Sequence, residues 1–197
     1  NSKLCVGYGQ CECGATVTTE VHGVMHPDGT VGVPLPGIEL RIVDDSFAEV
    51  LYKERGQVLV CTPSSMLEYY NNPDFTNSYF YIDEEGKKWN CTGDVGYIDE
   101  DGNLFIEGRA SDCSYIKGNK VYNFDIEKII KECPDIKMVD VVERKNISCD
   151  NAMAVHIILN DDFRSQVDSN PNLLNEKIIS GNACRYYDFY KCLWRKG

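Results

Sequence analysis

The chain has 197 residues, which is enough for one domain of ordinary size or for two small ones joined by a hinge. Hydrophobic residues make up 43% of the chain and charged residues 26%, a balance that favours a packed core over wholesale disorder. The formal net charge of −11 repels phosphate backbones and argues against nucleic acid as the main partner. A bound nucleotide would therefore have to be held by local donors or by a metal ion.

The N-terminal part of the sequence alternates short β-prone runs with turns. Residues 99–103, Asp-Glu-Asp-Gly-Asn, are a hairpin signal between two such runs, and Asn71-Asn72-Pro73 predicts a break in the chain. Many short strands at close spacing indicate a small barrel-like or sandwich-like subdomain over residues 44–108. Strands are predicted at residues 17–19, 39–43, 56–61, 94–98 and 104–107.

The character of the sequence changes after Gly108-Arg109. Asn123 is a candidate N-cap for a helix that runs to about Cys133 and is ended by Pro134. Helices mixed with a few strands indicate a small α+β domain, and the boundary falls near residues 109–112. Strands are predicted at residues 138–142 and 152–159, and a further helix at residues 172–183.

The cell compartment is indicated by what the sequence lacks. No apolar run approaches the ~20 residues that a membrane span needs, and residues 1–4 show no signal-peptide pattern. We therefore expect a cytoplasmic protein without a membrane span.

The 10 cysteines are best interpreted as scattered reduced thiols, because only Cys11 and Cys13 approach the paired spacing of a zinc site. A cysteine-based metal protein remains a minor alternative.

Three short segments carry the chemistry, and their order matters as much as their content. The first is YGQCE at residues 8–12, and the second is TGD at residues 92–94. The third is GRASD at residues 108–112, continued by GNKV at 118–121 and DIE at 125–127.

In order and spacing, these segments resemble the Y-G-x-T-E, T-G-D and G-R-x-D…G-x-R/K…E-I-E motifs of the adenylate-forming superfamily. That family includes acyl-CoA synthetases, luciferases and the adenylation domains of peptide synthetases. Residues 32–37 and 66–73 also look like its linking segments, so the resemblance covers roughly residues 5–160.

The resemblance implies an α+β fold in two parts. Residues 1–110 would be the C-terminal part of the large N-terminal domain, with its nucleotide-binding segments and a β-rich, barrel-like subdomain. After a hinge, residues 111–197 would form the small mobile C-terminal domain, incomplete here.

The implied activity is that of an ATP-dependent acid–thiol ligase of the acyl-CoA synthetase type, as in fatty acid metabolism. A small carboxylic acid attacks the α-phosphate of ATP and yields an acyl-adenylate and pyrophosphate. The acyl group then passes to CoA or to a phosphopantetheine thiol, and the sequence leaves this choice and the identity of the acid open. Because charge grows on phosphate oxygens, the site needs Mg²⁺ and fixed donors.

Two carboxylates carry the most specific implied roles. Asp94 would accept hydrogen bonds from the 2′- and 3′-hydroxyls of the ribose, both of them charge-assisted. The alternative is a turn aspartate that follows a glycine. Glu12 would hold Mg²⁺, a hard cation that prefers oxygen ligands, and its alternative is an exposed loop glutamate.

Further roles follow from the same motifs. Arg109 would reach ribose or phosphate oxygens with its fork of donors, unless it forms a structural salt bridge. Ser111 would be the hinge about which the small domain turns. The nucleotide-binding residues would also include Tyr8, Gly9, Cys11 and Tyr97. Tyr8 would lie on the adenine face, or else in the core. Tyr97 would line the nucleotide pocket, but it suits a packed strand face equally well. The thioester-forming loop would contain Gly118 and Lys120.

The sequence departs from the family pattern at several points. Cys11 replaces the usual threonine with a weaker donor, and Ser111 replaces the hinge charge. No Ser/Thr/Gly-rich loop ending in lysine is present to cradle a triphosphate, and Lys191 and Lys196 are poor candidates for the adenylation lysine. We therefore expect an excised piece of a longer enzyme, or a natural truncation, that is inactive without the N-terminal part. A non-catalytic nucleotide-binding or interaction module that keeps the fold is the alternative.

Overall fold

The computed structural model describes residues 4–116, 119–144, 152–170 and 172–173. The chain divides into two compact units, Asn1–Ser111 and Asp112–Gly197. No helix within the described ranges is both long and apolar enough to cross a membrane.

The first unit consists mostly of antiparallel strands. One sheet has three strands in the order β1-β2-β3, and another has the order β4-β5-β7-β6, with β8 also pairing with β7. The strands of the first sheet are β1 (Gly7–Gln10), β2 (Ala15–Thr19) and β3 (Val33–Pro34). The strands of the second are β4 (Glu39–Val43), β5 (Gly56–Cys61), β6 (Phe80–Ile82), β7 (Lys88–Ile98) and β8 (Leu104–Arg109).

The core of the first unit lies on both faces of β5. Val58 and Val60 pack in one cluster with Val17 and Leu104, whereas Leu59 packs in another with Val43 and Trp89. Successive side chains of a strand point to opposite faces, so a strand that is apolar at consecutive positions is covered on both sides. The run Gly56–Cys61, predicted as a strand, has this pattern.

The five-stranded sheet is open, so the barrel-like closure that the strand spacing suggested is not found in the described residues. β7 is the long central strand, pairing with β5, with β6 near its start and with β8 near its end. The predicted hairpin between residues 94–98 and 104–107 is confirmed as the β7–β8 pair. Asp99 closes its turn by accepting hydrogen bonds from the main-chain amides of Asp101 and Asn103.

The predicted break at residues 71–73 is instead the start of a helix, α1 (Pro73–Tyr79). The Asn72 side chain accepts a hydrogen bond from the amide of Phe75, and Pro73 occupies the first turn, where no amide donor is required. The same residues that interrupt a strand therefore begin a helix here.

Within its described residues, the second unit combines two hairpins with two helices. β9 (Cys113–Ile116) pairs with β10 (Asn119–Tyr122), and β11 (Ile136–Arg144) pairs with β12 (Ala152–Leu159). The helices are α2 (Asn123–Lys131) and α3 (Asp161–Ser169). Ile126 and Ile130 of α2 pack on Val139 and Val141 of β11, which confirms the predicted mixture of helices and strands.

The role predicted for Asn123 as an N-cap is wrong. Tyr122 is the N-cap residue, and Asn123 is the first residue of α2. The Asn123 amide group is buried and bonds instead to Asp112 Oδ1 and Ser114 Oγ. The Asn123 side chain is therefore engaged by Asp112 and Ser114 and does not cap the helix. Of the helix predicted at residues 172–183, all but the first two residues lie outside the described part of the chain.

Candidate functional site

A cleft of about 650 Å³ opens on the first unit. It lies where a single 3₁₀ turn (Cys11–Cys13), α1 and the middle of β7 come together. Four of the predicted site residues line it, namely Cys11, Glu12, Arg109 and Ser111. Its other lining residues are Gln10, Tyr69, Phe75, Ser78, Tyr79, Cys91, Thr92 and Gly93.

Asp94 lies on β7 beside this cleft and is 6% exposed. The antiparallel register places it opposite Arg109 of β8, and Arg109 Nη1 donates to Asp94 Oδ1 at 2.8 Å. The same guanidinium nitrogen donates to the carbonyl of Thr92 at 3.0 Å. Gly93, with φ +72°, accepts a main-chain hydrogen bond from Ala110, and a positive φ is a conformation that glycine adopts without strain. The TGD segment and the start of GRASD are thereby joined.

Two donors from β1 reach the other oxygen of the same carboxylate. Tyr8 Oη donates to Asp94 Oδ2 at 2.6 Å, and Gln10 Nε2 donates to it at 2.8 Å. Gln10 Nε2 also donates to the Thr92 carbonyl at 2.9 Å. Tyr8 and Gln10 are two residues apart on a strand and therefore point to the same side. Burial, reinforced by the Asp94 carboxylate, raises the pKa of Tyr8 far above its ordinary value, so the phenol remains a donor.

Glu12 is half-buried and held by the segment that precedes α1. Tyr69 Oη donates to Glu12 Oε1 at 2.8 Å, and the amide of Met66 donates to the Glu12 carbonyl at 2.8 Å. Burial and the neighbouring Glu12 raise the pKa of Tyr69 to about 12.

The Glu12 carboxylate could bind magnesium only together with ligands from outside the protein. Among the described residues no group of three or more His, Cys, Asp and Glu could hold a metal ion. Mg²⁺, however, is commonly bound through one or two carboxylates together with substrate phosphates and water. Glu12 lines the cleft and offers one carboxylate of this kind.

A buried chain of polar groups runs behind the cleft. Tyr79 Oη donates to Gln10 Oε1 at 3.4 Å, and Cys13 Sγ lies 3.9 Å from the same hydroxyl. Burial raises the pKa of the Cys13 thiol, and burial with the neighbouring Cys13 raises that of Tyr79 far above its ordinary value. Both groups therefore stay neutral near pH 7. The seven described cysteines, Cys5, Cys11, Cys13, Cys61, Cys91, Cys113 and Cys133, are free.

The remaining predicted residues have other surroundings. At Gly9 a Cβ would lie 1.6 Å from the carbonyl oxygen of Ala15, so this position of β1 has no room for a side chain. Tyr97 is not among the residues that line the cleft, and its ring stacks on Phe105 of β8 with centroids 4.6 Å apart. Lys120 lies on β10 in the second unit, with Nζ 5.1 Å from the centre of the Tyr122 ring. Gly118 lies outside the described residues.

Several residues of the site were missed by sequence reasoning. Gln10 occupies the variable position of the first motif, where the pattern does not point to a role. Tyr79 is brought to the cleft by α1, a helix that was not predicted, and Tyr69 by the segment that precedes this helix. Thr92 was part of a recognised motif, and its carbonyl and hydroxyl both serve as hydrogen-bond acceptors within the site.

Comparisons with known proteins agree on one family. The profile described as "AMP-binding enzyme" matches residues 1–70. The chain is 33% identical over 158 residues to a long-chain-fatty-acid–CoA ligase of Salmonella typhimurium, an alignment that spans 80% of this chain and 27% of the ligase. It is 33% identical over 139 residues to the fatty acid–[acyl-carrier-protein] ligase ScoC of Streptomyces coeruleorubidus, spanning 68% of this chain and 26% of ScoC.

A solved structure gives the same result for the fold. The ATP-bound RpMatB-BxBclM chimera B3 superposes with a TM-score of 0.72 at 27% identity, over 81% of this chain and 31% of the chimera. The fold and the sequence thus match one part of the adenylate-forming enzymes. The chain belongs to the adenylate-forming, or AMP-binding, superfamily and is similar to its acyl-CoA synthetases. It spans about a quarter to a third of the length of these proteins.

Proposed function

We propose that this chain supplies nucleotide-binding residues to an ATP-dependent acid–thiol ligase of the acyl-CoA synthetase type. The observation that carries the proposal is the convergence of Tyr8, Gln10 and Arg109 on the buried Asp94 carboxylate, next to a cleft that contains Glu12. The names of the relatives, ligases of long-chain fatty acids and of a carrier protein, and the ATP-bound neighbour support the same reaction class.

In this proposal Asp94 receives the ribose and Arg109 is its mobile partner. A carboxylate offers about four lone-pair sites, and three donors already point at Asp94. Two ribose hydroxyls therefore require that one protein donor move away. Arg109 fits that part, because 59% of its side chain is exposed and the guanidinium can turn towards phosphate or ribose oxygens without leaving water. Tyr8 and Gln10 stay and keep the carboxylate oriented.

Glu12 would be the protein ligand of Mg²⁺. When bound, the ion neutralises charge that develops on the phosphate oxygens as the carboxylic acid attacks the α-phosphate. Cys11 is exposed at the mouth of the same cleft, where its thiol is a weaker donor to a phosphate oxygen than a hydroxyl would be.

The second half-reaction would use the second unit. We assign residues 1–110 to the large domain and residues 111–197 to the small mobile one, with Ser111 as the hinge and Gly118 and Lys120 in the loop for thioester formation. Ser111 lies in the turn that follows β8 and is exposed, which suits a residue that has to change its backbone angles. CoA is the proposed acceptor, with a phosphopantetheine thiol as the other candidate. The free described cysteines suit a reducing cytoplasm.

The experiment is an assay of the full-length protein that contains this chain. We expect exchange of pyrophosphate into ATP that depends on a carboxylic acid and on Mg²⁺, with long-chain fatty acids among the substrates to test first. Addition of CoA should then give an acyl-CoA and AMP. Binding of AMP with no exchange for any acid would support the non-catalytic nucleotide-binding module and contradict the ligase. Absence of both would contradict the nucleotide site itself.

A further inference from the structure

Tyr69 donates a hydrogen bond to Glu12, the proposed magnesium ligand. Its hydroxyl lies 2.8 Å from Glu12 Oε1. An ionised carboxylate has only acceptor sites, so the phenol is the donor. Hydrogen bonds between a neutral donor and a carboxylate are shorter and stronger than those between neutral groups.

The ring of Tyr69 is held on several sides. Phe75 packs against it with centroids 4.8 Å apart, and Tyr79 meets it edge-on at 5.8 Å. The main-chain amide of Tyr69 donates to Thr76 Oγ1 at 2.9 Å, and the Thr76 hydroxyl in turn donates to the Asn72 carbonyl at 2.8 Å. The donor is therefore fixed by α1 and by the loop before it, so it does not depend on a freely turning side chain.

The acceptor is fixed from the same side. The amide of Met66 donates to the carbonyl of Glu12, so main chain and side chain of this glutamate are both bound to residues 66–69. One hydrogen bond occupies one lone pair of Oε1 and leaves the other acceptor sites of the carboxylate available to a cation.

We infer that Tyr69 is a positioning residue for metal binding: its hydroxyl orients the Glu12 carboxylate in the cleft so that Mg²⁺ bound with ATP meets it without reorganisation. The inference rests on the proposed function. It assigns to residues 66–73, which sequence analysis identified only as a linking segment, a direct part in the site. Groups that orient a metal ligand commonly alter metal affinity about 10- to 100-fold when they are removed.

The test uses the full-length protein and the substitution Tyr69→Phe, which keeps the ring and its aromatic neighbours and removes only the donor. Mn²⁺ binding is measured in the presence of a non-hydrolysable ATP analogue, from the electron paramagnetic resonance signal of free Mn²⁺. We expect the affinity for Mn²⁺ to fall about tenfold in this variant. In the exchange assay the Mg²⁺ concentration for half-maximal rate should rise by a similar factor, with the KM for the acid unchanged. Saturating Mg²⁺ should restore the rate, which it would not do for a misfolded variant.

Tyr70→Phe is the matched control, because Tyr70 is the next residue and is 90% exposed. It should bind Mn²⁺ as the wild type does. If the wild-type protein binds Mn²⁺ with the analogue and Tyr69→Phe binds it equally well, the role of Tyr69 is wrong while the proposed function stands. If the wild-type protein shows neither analogue-dependent Mn²⁺ binding nor exchange, the proposed function fails, and the inference fails with it.

Discussion

The carboxylate of Asp94 is engaged on both oxygens by protein donors, one from β8 and two from β1. A charge that is only 6% exposed requires such partners, because an isolated buried carboxylate is costly. The same group therefore serves the fold and, in our proposal, the ribose. A site built this way is preorganised before any ligand arrives, since the orientation of the carboxylate is set by Tyr8 and Gln10.

Asp94→Asn should reveal both roles. The amide lacks the charge and turns an NH₂ group towards donors, so we expect the free energy of unfolding to fall by about 1–3 kcal/mol. In the full-length protein kcat/KM for ATP should fall about a hundredfold or more. Denaturant titration and steady-state kinetics measure the two effects. The exposed Asp101→Asn, in the turn after β7, is the control and should change neither. Unaltered ATP kinetics for Asp94→Asn would remove this residue from the nucleotide site.

The tyrosines around the site predict how stability depends on alkaline pH. The pKa values of Tyr8, Tyr69 and Tyr79 are raised from the model-compound value of 10.0, that of Tyr69 to about 12. A raised pKa means that the folded state favours the protonated phenol, so the stabilisation is fully present below pH 10 and is lost as the pH rises above it. For Tyr69 the loss should run between about pH 10 and 12.

Denaturant titrations at several pH values, with the absorbance of phenolate followed in parallel, check this expectation. In Tyr69→Phe the fall in the free energy of unfolding between pH 10 and 12 should be smaller than in the wild type. An equal fall in the free energy of unfolding in Tyr69→Phe and the wild type would show that the pKa of Tyr69 is not raised in the folded state.

At the scale of elements, the site depends on how closely β1 approaches β2. The pairing shifts register between Tyr8 and Gly9, and this bulge brings the Ala15 carbonyl next to Gly9. Bulges re-aim side chains next to functional sites. Here the extra residue is Val17 of β2. The opposite strand, β1, carries Tyr8 and Gln10, which donate to Asp94, and leads into the turn that carries Glu12.

Gly9→Ala should therefore disrupt the site through the backbone. Its Cβ would lie 1.6 Å from the Ala15 oxygen, a main-chain atom that cannot rotate away. We expect a loss of at least about 3 kcal/mol in the free energy of unfolding, at the severe end of single substitutions. Gly86→Ala is the control, because its Cβ would meet nothing within 4 Å and only its φ of +79° is unfavourable, at about 1–2 kcal/mol. Calorimetric or denaturant melting compares them, and a milder effect at Gly9 than at Gly86 would contradict the steric argument.

Element boundaries show where local pattern is sufficient and where it is not. Glu39–Val43, Gly56–Cys61 and Ala152–Leu159 are strands as predicted, because consecutive or alternating apolar residues with β-branched side chains leave few alternatives. α1 was missed because it has only 7 residues and no periodic apolar face to detect. The Asn72 cap was visible in the sequence, but Asn-Pro signals a turn as readily as a helix start.

At the scale of the whole molecule, the chain forms two compact units, of which the first holds every residue that lines the cleft. The relatives, which are named as ligases, are roughly three times as long as this chain. The 197 residues contain no Ser/Thr/Gly-rich loop ending in lysine that could cradle a triphosphate. In our proposal this chain therefore contributes only part of the nucleotide site.

We expect the 197-residue chain by itself to give no exchange of pyrophosphate into ATP with any carboxylic acid. The reason is physical: charge that develops on the β- and γ-phosphates needs fixed donors, and those donors are absent from the sequence. The measurement is the exchange assay with purified chain, with the full-length protein under identical conditions as the control. Exchange by the chain alone would mean that other residues perform the task of the missing loop.

The sequence by itself determined the family and the identity of most candidate residues. Motif order depends on residue type and spacing, and both are read directly from the chain. It also determined several strands, among them Glu39–Val43 and Gly56–Cys61, because apolar and β-branched residues are a local signal. The strands β1, β6, β9 and β10 were not predicted. The described strands do not close into a barrel, because strand spacing does not say which edges pair.

Only the tertiary structure decided which side chains meet. Gln10, Tyr69 and Tyr79 are separated by up to 69 residues, yet they surround one cleft. It also decided that Tyr97 stacks on Phe105 within the β7–β8 hairpin and that Asn123 bonds to Asp112 and Ser114. Hydrogen bonds act over about 3 Å, and no local pattern encodes which distant groups the packed sheets bring within that distance.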